Sequence, residues 1–575
     1  MRYYREMKVA RGVSLIDVIV GSALVLVIFL SLIGLLRASL LVSSLAKAKA
    51  GATAVANNQM ELVRSLSYDA VGTVGGIPSG SIPQYATSTQ NAIPYRVRTF
   101  IEYVDDPADG VGAADANAIT TDYKRIKIAV TYTVRGTLRE VDLVSNYAPL
   151  SIETSTNGGT LKVLVVDATG VGVAGAAVRV VNASSLPSVD VTTFSDSTGT
   201  VLLGGAATST QYQVYISKTG YSSAQTYVRD TTNQNPTPGY LTVVKNQTTA
   251  STFAIDRLAS LTLRTYFPIS ATTTTDTFAD ASKLAAQSNT SVVGGFLTLA
   301  TGGSGYVLSG TARSAPFAPS YLVSWTTAST TLALPAGTSA LVSVVDGSGT
   351  FLPDSVIPGN STGFSDTSID LSTVSTTTYP SLALSATLST NATTTTPHVD
   401  AWSINALVGP VPVPNVAVTL TGAKTVGSTG AGTPIAKTTL ASTTGALGVL
   451  PLSIEWDSYS LGLTGYDVLD ACTAPPYSLS PGSSNSASLY LGPNSTNAVL
   501  VSVHDNASAL VSGATVTLSK TGFTDSSSTS SCGTAYFGSL TSGTYSITIT
   551  KSGYTSTTYA NVTVSGHIFY ATSFP

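Results

Sequence analysis

The chain has 575 residues, with 28 Lys plus Arg against 31 Asp plus Glu and a formal net charge of −3. Charged residues make up 10% of it, well under the globular average of about 25%, so there is no basic field to hold nucleic acid. The length excludes a single core. Two cysteines and three histidines leave little material for a zinc site or a His-based catalytic centre, so neither an enzyme nor a bound cofactor is expected.

The first twelve residues carry Arg2, Arg5, Lys8 and Arg11 against Glu6 alone. From Val13 to Leu36 the chain is almost wholly apolar, and Asp17 is the one charge inside it. A stretch of about 20 apolar residues crosses a bilayer as a helix. The basic leader would stay in the cytoplasm, which places the bulk of the chain outside, on the cell surface. A carboxylate inside a membrane helix costs about 2.5–3.5 kcal/mol at mid-bilayer and less toward the interface, so Asp17 calls for a partner. If the nearby Gly12–Val13 bond were cut, the new α-amino group would supply a cation at a similar depth. Asp17 of one subunit then pairs with the amine of a neighbour.

The run R-G-V-S-L-I-D-V-I-V (Arg11–Val20) resembles the leader of type IV prepilins and pseudopilins. The resemblance implies that a prepilin peptidase cuts after Gly12, that Val13 becomes N-methylated, and that Asp17 guides assembly with other pilin subunits through the N-terminal helix. The family usually has Phe and Glu where this chain has Val13 and Asp17. Two other readings stay open: a signal anchor that never polymerises, and a secretory signal peptide cut near Ala48–Ala50.

The helix is expected to continue beyond the membrane. Leu41, Leu45, Ala48, Ala52, Val55, Gln59, Leu62 and Leu66 alternate at spacings of four and three, which makes a mostly apolar stripe. A helix from Val13 to Leu66 would be roughly 80 Å long. The segment Asn58–Asp69 also resembles the helix end of minor pilins. After a loop at Gly72–Pro94, strands are expected at Tyr95–Val104, Tyr123–Val134 and Leu138–Tyr147, as the small sheet that caps a pilin helix. Between the first two strands, Asp105, Asp106 and Asp109 form a weak calcium candidate. Their spacing does not match an EF-hand loop, and a solvated turn is the simpler reading.

The remaining chain alternates apolar and polar residues between Gly, Asp and Asn turns. The order T-L-K-V-L-V-V-D (from Thr160), S-D-S-T-G-T-V-L-L (from Ser195) and Y-Q-V-Y-I-S-K-T-G-Y (from Tyr212) returns at the far end as A-V-L-V-S-V-H-D (from Ala498), C-G-T-A-Y-F (from Cys532) and Y-S-I-T-I-T-K-S-G-Y (from Tyr545). A looser copy begins with V-P-N-V-A-V-T-L at Val413. This internal repeat resembles the carboxypeptidase regulatory-like domain, a small β-sandwich without catalysis of its own. The Thr- and Ser-rich region between the copies reads as a larger, jelly-roll-like sandwich with Trp325 and Trp402 in its core.

The expected fold class is therefore α+β, mostly β: a long N-terminal transmembrane helix with a pilin-type sheet, then a string of β-sandwiches. The expected divisions are a leader at 1–12, the helix at 13–70, a pilin-like β domain at 71–150, a regulatory-like sandwich at 151–257, the larger sandwich at 258–407, a divergent regulatory-like sandwich at 408–496 and a last one at 497–575. G-N-S-T-G (Gly359–Gly363) matches a nucleophile pattern, but it lies in an all-β region without the strand and helix that pattern needs. His398, His504 and His567 show no metal-ligand spacing. Cys472 and Cys532 are the only thiols. An extracellular location permits them to bridge, and two free thiols are the alternative. The expected function is a minor pilin or pseudopilin that presents β domains for adhesion or as a spacer, with surface glycans or other cells as possible ligands. The competing reading is a monomeric anchored surface protein.

Overall fold

The computed structural model describes residues 15–106, 108, 121–149, 158–365 and 368–574, and the side chain of Asp17 lies outside that description. The chain forms two compact units, residues 1–258 with 425–435, and residues 259–424 with 436–575.

The first unit opens with α1 (Leu15–Arg64), an unbroken helix of 50 residues and about 75 Å. It contains no proline and is rich in Leu and Ala, both strong helix formers. A 3₁₀ turn, Tyr68–Ala70, ends it. A four-stranded antiparallel sheet follows in the order β1 (Tyr85–Gln90), β2 (Ile93–Val104), β3 (Tyr123–Val134) and β4 (Thr137–Tyr147). Strand β1 falls inside the segment expected to be a loop. Its sequence Y-A-T-S-T-Q is polar and largely exposed, as suits a sheet edge, so no hydrophobic alternation marks it. Asn91 and Ala92 turn it into β2 with φ of 52° and 63°, the left-handed backbone of a two-residue hairpin.

The rest of the first unit is a sandwich. One sheet orders strands 248–254, 159–166 and 200–206; the other runs from 189–194 through 177–182 to 209–217 and 224–225. The first and last strands pair in parallel, Thr160 opposite Thr248. The interior is Val- and Leu-rich, with Leu161, Val163, Val178 and Val214 fully buried.

The second unit repeats this plan twice. In the last copy, strand 498–505 pairs in parallel with 567–574 and antiparallel with 534–537. The facing sheet orders 523–528, 515–520, 543–550 and 557–564. In the middle copy the equivalent first strand is Ala259–Phe267, which lies parallel to 484–493 and antiparallel to 449–454. Its facing sheet orders 439–443, 417–422, 458–463 and 477–478. The larger sandwich is thus an insertion between the first and second strands of the middle copy. The expected boundary at residue 258 shifts accordingly, because Ala259–Phe267 belongs to the repeat and not to the sandwich that follows it. The insertion, from Ser270 to Val408, packs two sheets over Trp325, Trp402, Phe278 and Leu384.

Candidate functional site

The functional candidates of the sequence concentrate on α1. From Leu15 to Leu40 its large apolar side chains are exposed around the whole circumference: Leu24, Val25, Leu26, Val27, Ile28, Phe29 and Leu30 in succession each show half or more of their surface. A helix face of this kind is compatible with a membrane anchor. This is the one helix among the described residues long and apolar enough to cross a membrane. Its hydroxyls are satisfied internally, Ser22 donating to the Ile19 carbonyl at 2.9 Å and Ser31 to that of Val27 at 2.8 Å. Gly12 and Val13 lie outside the described residues. Asp17 lies near the start of α1.

The C-terminal half of the same helix packs on the sheet. Ala48, Ala52, Val55, Ala56, Met60 and Val63 bury against Tyr95, Val97, Ile101, Ile126, Ile128 and Val130. The buried stripe departs from the expected one at its end, since Leu62 is 51% exposed and Met60 and Val63 take its place. Small residues at Ala48, Gly51 and Ala52 let Tyr95 lie flat on the helix, and its hydroxyl donates to the Ala48 carbonyl at 3.0 Å. A Cβ on Gly51 would run into that tyrosine oxygen.

Lys124 closes the helix end. It has the same strand parity as Ile126, Ile128 and Val130, so it points inward, and it is 1% exposed. Its ammonium donates to the carbonyls of Tyr68 at 2.6 Å and Val71 at 2.7 Å and lies 4.5 Å from the Tyr68 ring centre. Burial lowers its pKa to about 8, and the Asp69 carboxylate acts in the opposite direction. Tyr147 adds a bond from its hydroxyl to the Leu66 carbonyl at 3.0 Å. The sequence reading missed Lys124; its place among alternating apolar residues was the available signal.

The opposite face of the sheet carries charge. Arg125 pairs with Glu102 at 3.7 Å and Lys127 with Asp142 at 3.0 Å. Burial raises the Glu102 carboxyl above its ordinary value, against Arg125 and Lys127. Arg98 reaches the following sandwich: it donates to the Thr192 carbonyl at 2.5 Å, and its guanidinium lies 4.9 Å from the Phe194 ring centre. The Gln84 amide donates to the Asp190 carbonyl at 2.7 Å, and the Asp190 amide donates to the Gly75 carbonyl at 2.8 Å. Helix, sheet and first sandwich are therefore joined by direct backbone and side-chain bonds within one unit.

Of the calcium candidates, Asp105 and Asp106 lie at the end of β2, while Asp109 lies outside the described residues. The Asp122 carboxylate accepts from the Asp106 amide at 2.5 Å. Among the described residues no group of three or more His, Cys, Asp or Glu is placed to hold a metal. G-N-S-T-G is a structural turn. Asn360 is fully buried, its amide donating to the carbonyls of Val344 and Leu352, both at 2.8 Å, and accepting from the Val344 amide at 2.7 Å. Ser361 donates to Asp354 at 2.6 Å.

Cys472 and Cys532 form a disulfide between the middle and last sandwiches of the second unit. Two acids lie near it in sequence, Asp467 buried and Asp470 half-buried. Asp470 accepts from Ser530 at 2.8 Å and from Thr534. Asp467 accepts from the Ser495 hydroxyl at 2.6 Å and the Tyr536 hydroxyl at 2.5 Å, and lies 3.0 Å from His567 Nε2. Burial, then the bond to Asp467, push the Tyr536 hydroxyl up to about 12. His398 stacks on Phe296 with ring centres 4.9 Å apart, and His504 lies in the first strand of the last sandwich.

The last sandwich is the one with a recognised sequence signature. Residues 498–567 match the family model of the carboxypeptidase regulatory-like domain. The two other sandwiches with the same strand order share its topology, although the matching model stops at this regulatory-like module. No curated protein matches the chain. Among solved structures, the Bacillus anthracis TIE protein aligns at 10% identity over 86% of this chain and 73% of that one, with a TM-score of 0.15. BcpA, the major pilin subunit of Bacillus cereus, aligns at 10% identity over 72% and 99%, with a TM-score of 0.13. A streptococcal ancillary pilin aligns at 9% identity over 64% and 75%, with a TM-score of 0.16. Scores of that size assign neither a shared arrangement nor a function.

Proposed function

We propose that this chain is a membrane-anchored subunit of a type IV pilus or secretion pseudopilus, and that its β-sandwiches stand outside the cell as an adhesive stalk. One observation carries the reading: a single unbroken helix is apolar all round in its first half and a sheet-packed core element in its second. An anchor alone needs only the first half. A subunit that must pack its anchor against copies of itself, and transmit load to its exterior, needs both in one rigid rod.

In this reading a prepilin peptidase cuts the Gly12–Val13 bond, Val13 is methylated, and the Asp17 carboxylate pairs with the amine of a neighbouring subunit. The regulatory-like modules, one of them interrupted by the larger sandwich, act as spacers. No catalytic step is assigned to any of them. Asp17→Ala separates this proposal from a monomeric anchor. The variant is expected to stay in the membrane fraction and to disappear from sheared surface filaments. Equal recovery of variant and wild type in the filament fraction would refute the assembly role.

A further inference from the structure

The β domains carry a modification motif that neither the anchor nor the repeat modules use. Eight asparagines stand in the pattern Asn-x-Ser or Asn-x-Thr with a residue other than proline at x. That is the acceptor pattern for N-linked sugar, and it serves only where the asparagine amide is open to solvent. The fold sorts the eight. Asn182 and Asn360 are fully buried. The Asn182 side-chain oxygen accepts from the Ser184 amide at 3.0 Å and the Ser185 amide at 3.2 Å, and the Asn360 amide group donates to the Val344 and Leu352 carbonyls. Asn289 is exposed, but Ser291 two places on is half-buried. At Asn246, Asn391, Asn494, Asn506 and Asn561, both the asparagine and the hydroxyl residue two places on are exposed.

We propose, on the basis of the surface location argued above, that N-linked glycans are attached to this exposed set. Asn391, Asn494 and Asn506 each directly follow a strand, and Asn246 lies in the turn between strands 241–243 and 248–254. There the backbone has left the ladder and is open to an enzyme. Asn561 lies in Thr557–Val564, an edge strand of its sheet, beside a break in register where its φ is 63°. A glycan at that point covers an open row of backbone groups, which otherwise invites pairing with another chain. Sugar hydroxyls also supply hydration to a chain with only 10% charged residues. The co-reactant is a sugar carried on a lipid diphosphate. The asparagine Nδ2 bonds to C1 of that sugar, the C1–O bond to phosphate breaks, the lipid diphosphate leaves with the electron pair, and the amide loses one proton.

The test is glycopeptide mass spectrometry of the full chain, purified from the membrane of its native host and digested with elastase. At least one of the five exposed asparagines is expected to carry a sugar mass, and Asn182 and Asn360 none. Replacing an occupied residue, as in Asn506→Gln, should remove one glycan's mass from the intact chain and leave the others in place; this readout does not depend on how stable the variant is. Protease added to intact host cells checks location separately, because it releases the β domains only if they lie outside. Accessible domains with all five asparagines bare would overturn the glycan assignment and leave the surface reading standing. Protected domains would overturn both. Sugar on Asn182 or Asn360, or on Ser and Thr hydroxyls alone, would also overturn the assignment.

Discussion

Replacing Lys124 by Met tests whether a buried cation closes the helix end. The lysine is 1% exposed, and its pKa falls from 10.5 to about 8, chiefly through burial. That fall corresponds to roughly 3 kcal/mol of penalty on the charged form, as an order of magnitude. Below about pH 8 the folded and unfolded chains both hold the proton, and the full penalty is present. Between about 8 and 10.5 the unfolded chain still binds the proton while the folded one releases it, so stability rises with pH. The neutral amine keeps two N–H groups for the Tyr68 and Val71 carbonyls. Tyr95 and Tyr103 in the same unit are raised by burial and work the other way once the pH passes their ordinary value near 10. The informative quantity is therefore the wild-type minus Lys124→Met difference from about pH 7.5 to 10, measured by thermal unfolding of the full chain in detergent. Subtraction removes every group the two proteins share. The wild type should gain on the variant by up to about 3 kcal/mol, or roughly 5–10 °C in the transition of the first unit. A difference that stays flat with pH would refute the buried, protonated lysine.

Three further outcomes follow from the same structure. Gly51→Val places side-chain atoms where the buried Tyr95 hydroxyl lies, and should lower the stability of the first unit by about 1–3 kcal/mol in thermal unfolding, outweighing the better helix propensity. Replacing both Cys472 and Cys532 by Ser opens a link spanning 60 residues, worth about 4 kcal/mol in the chain-entropy model, and calorimetry should show the loss in the second unit alone. Hydroxyls and backbone amides hold the carboxyls of Asp167 and Asp346 below their ordinary range, Thr169 and Ser348 contributing most. That stability is present above about pH 4 and lost as the pH falls through the folded values, so Asp346→Asn, which keeps an acceptor at Oδ1, should flatten the acid limb of the second unit's unfolding curve.

Much of the fold was legible because the relevant signals are local. The apolar run, the alternation in Tyr95–Val104 and Tyr123–Val134, and the Asp-x-Thr-Gly turns at Asp167 and Asp196 each depend on neighbours within a few residues. In the second of these turns the Asp196 carboxylate accepts from the Thr198 amide at 2.8 Å and the Thr200 amide at 2.9 Å, while Gly199 supplies a φ of 80°. The insertion was not legible. Ala259–Phe267 meets strands 449–454 and 484–493 only after the whole larger sandwich has intervened, and no local pattern states which sheet a strand will join. The middle repeat looked weak in sequence because its first strand was sought next to Val413. At the site, Lys124 was hidden by its residue type although its parity was visible. Gly12, Val13 and Asp17 rest on sequence pattern.

The central claim is that α1 belongs to a processed, assembled subunit, and the mass of the mature N-terminus tests it most directly. Intact-mass and N-terminal peptide spectrometry of chain purified from the membrane of its native host should find a protein that begins at Val13 with a methylated α-amine. A chain that retains Met1, or one that begins near Gly51, would contradict it.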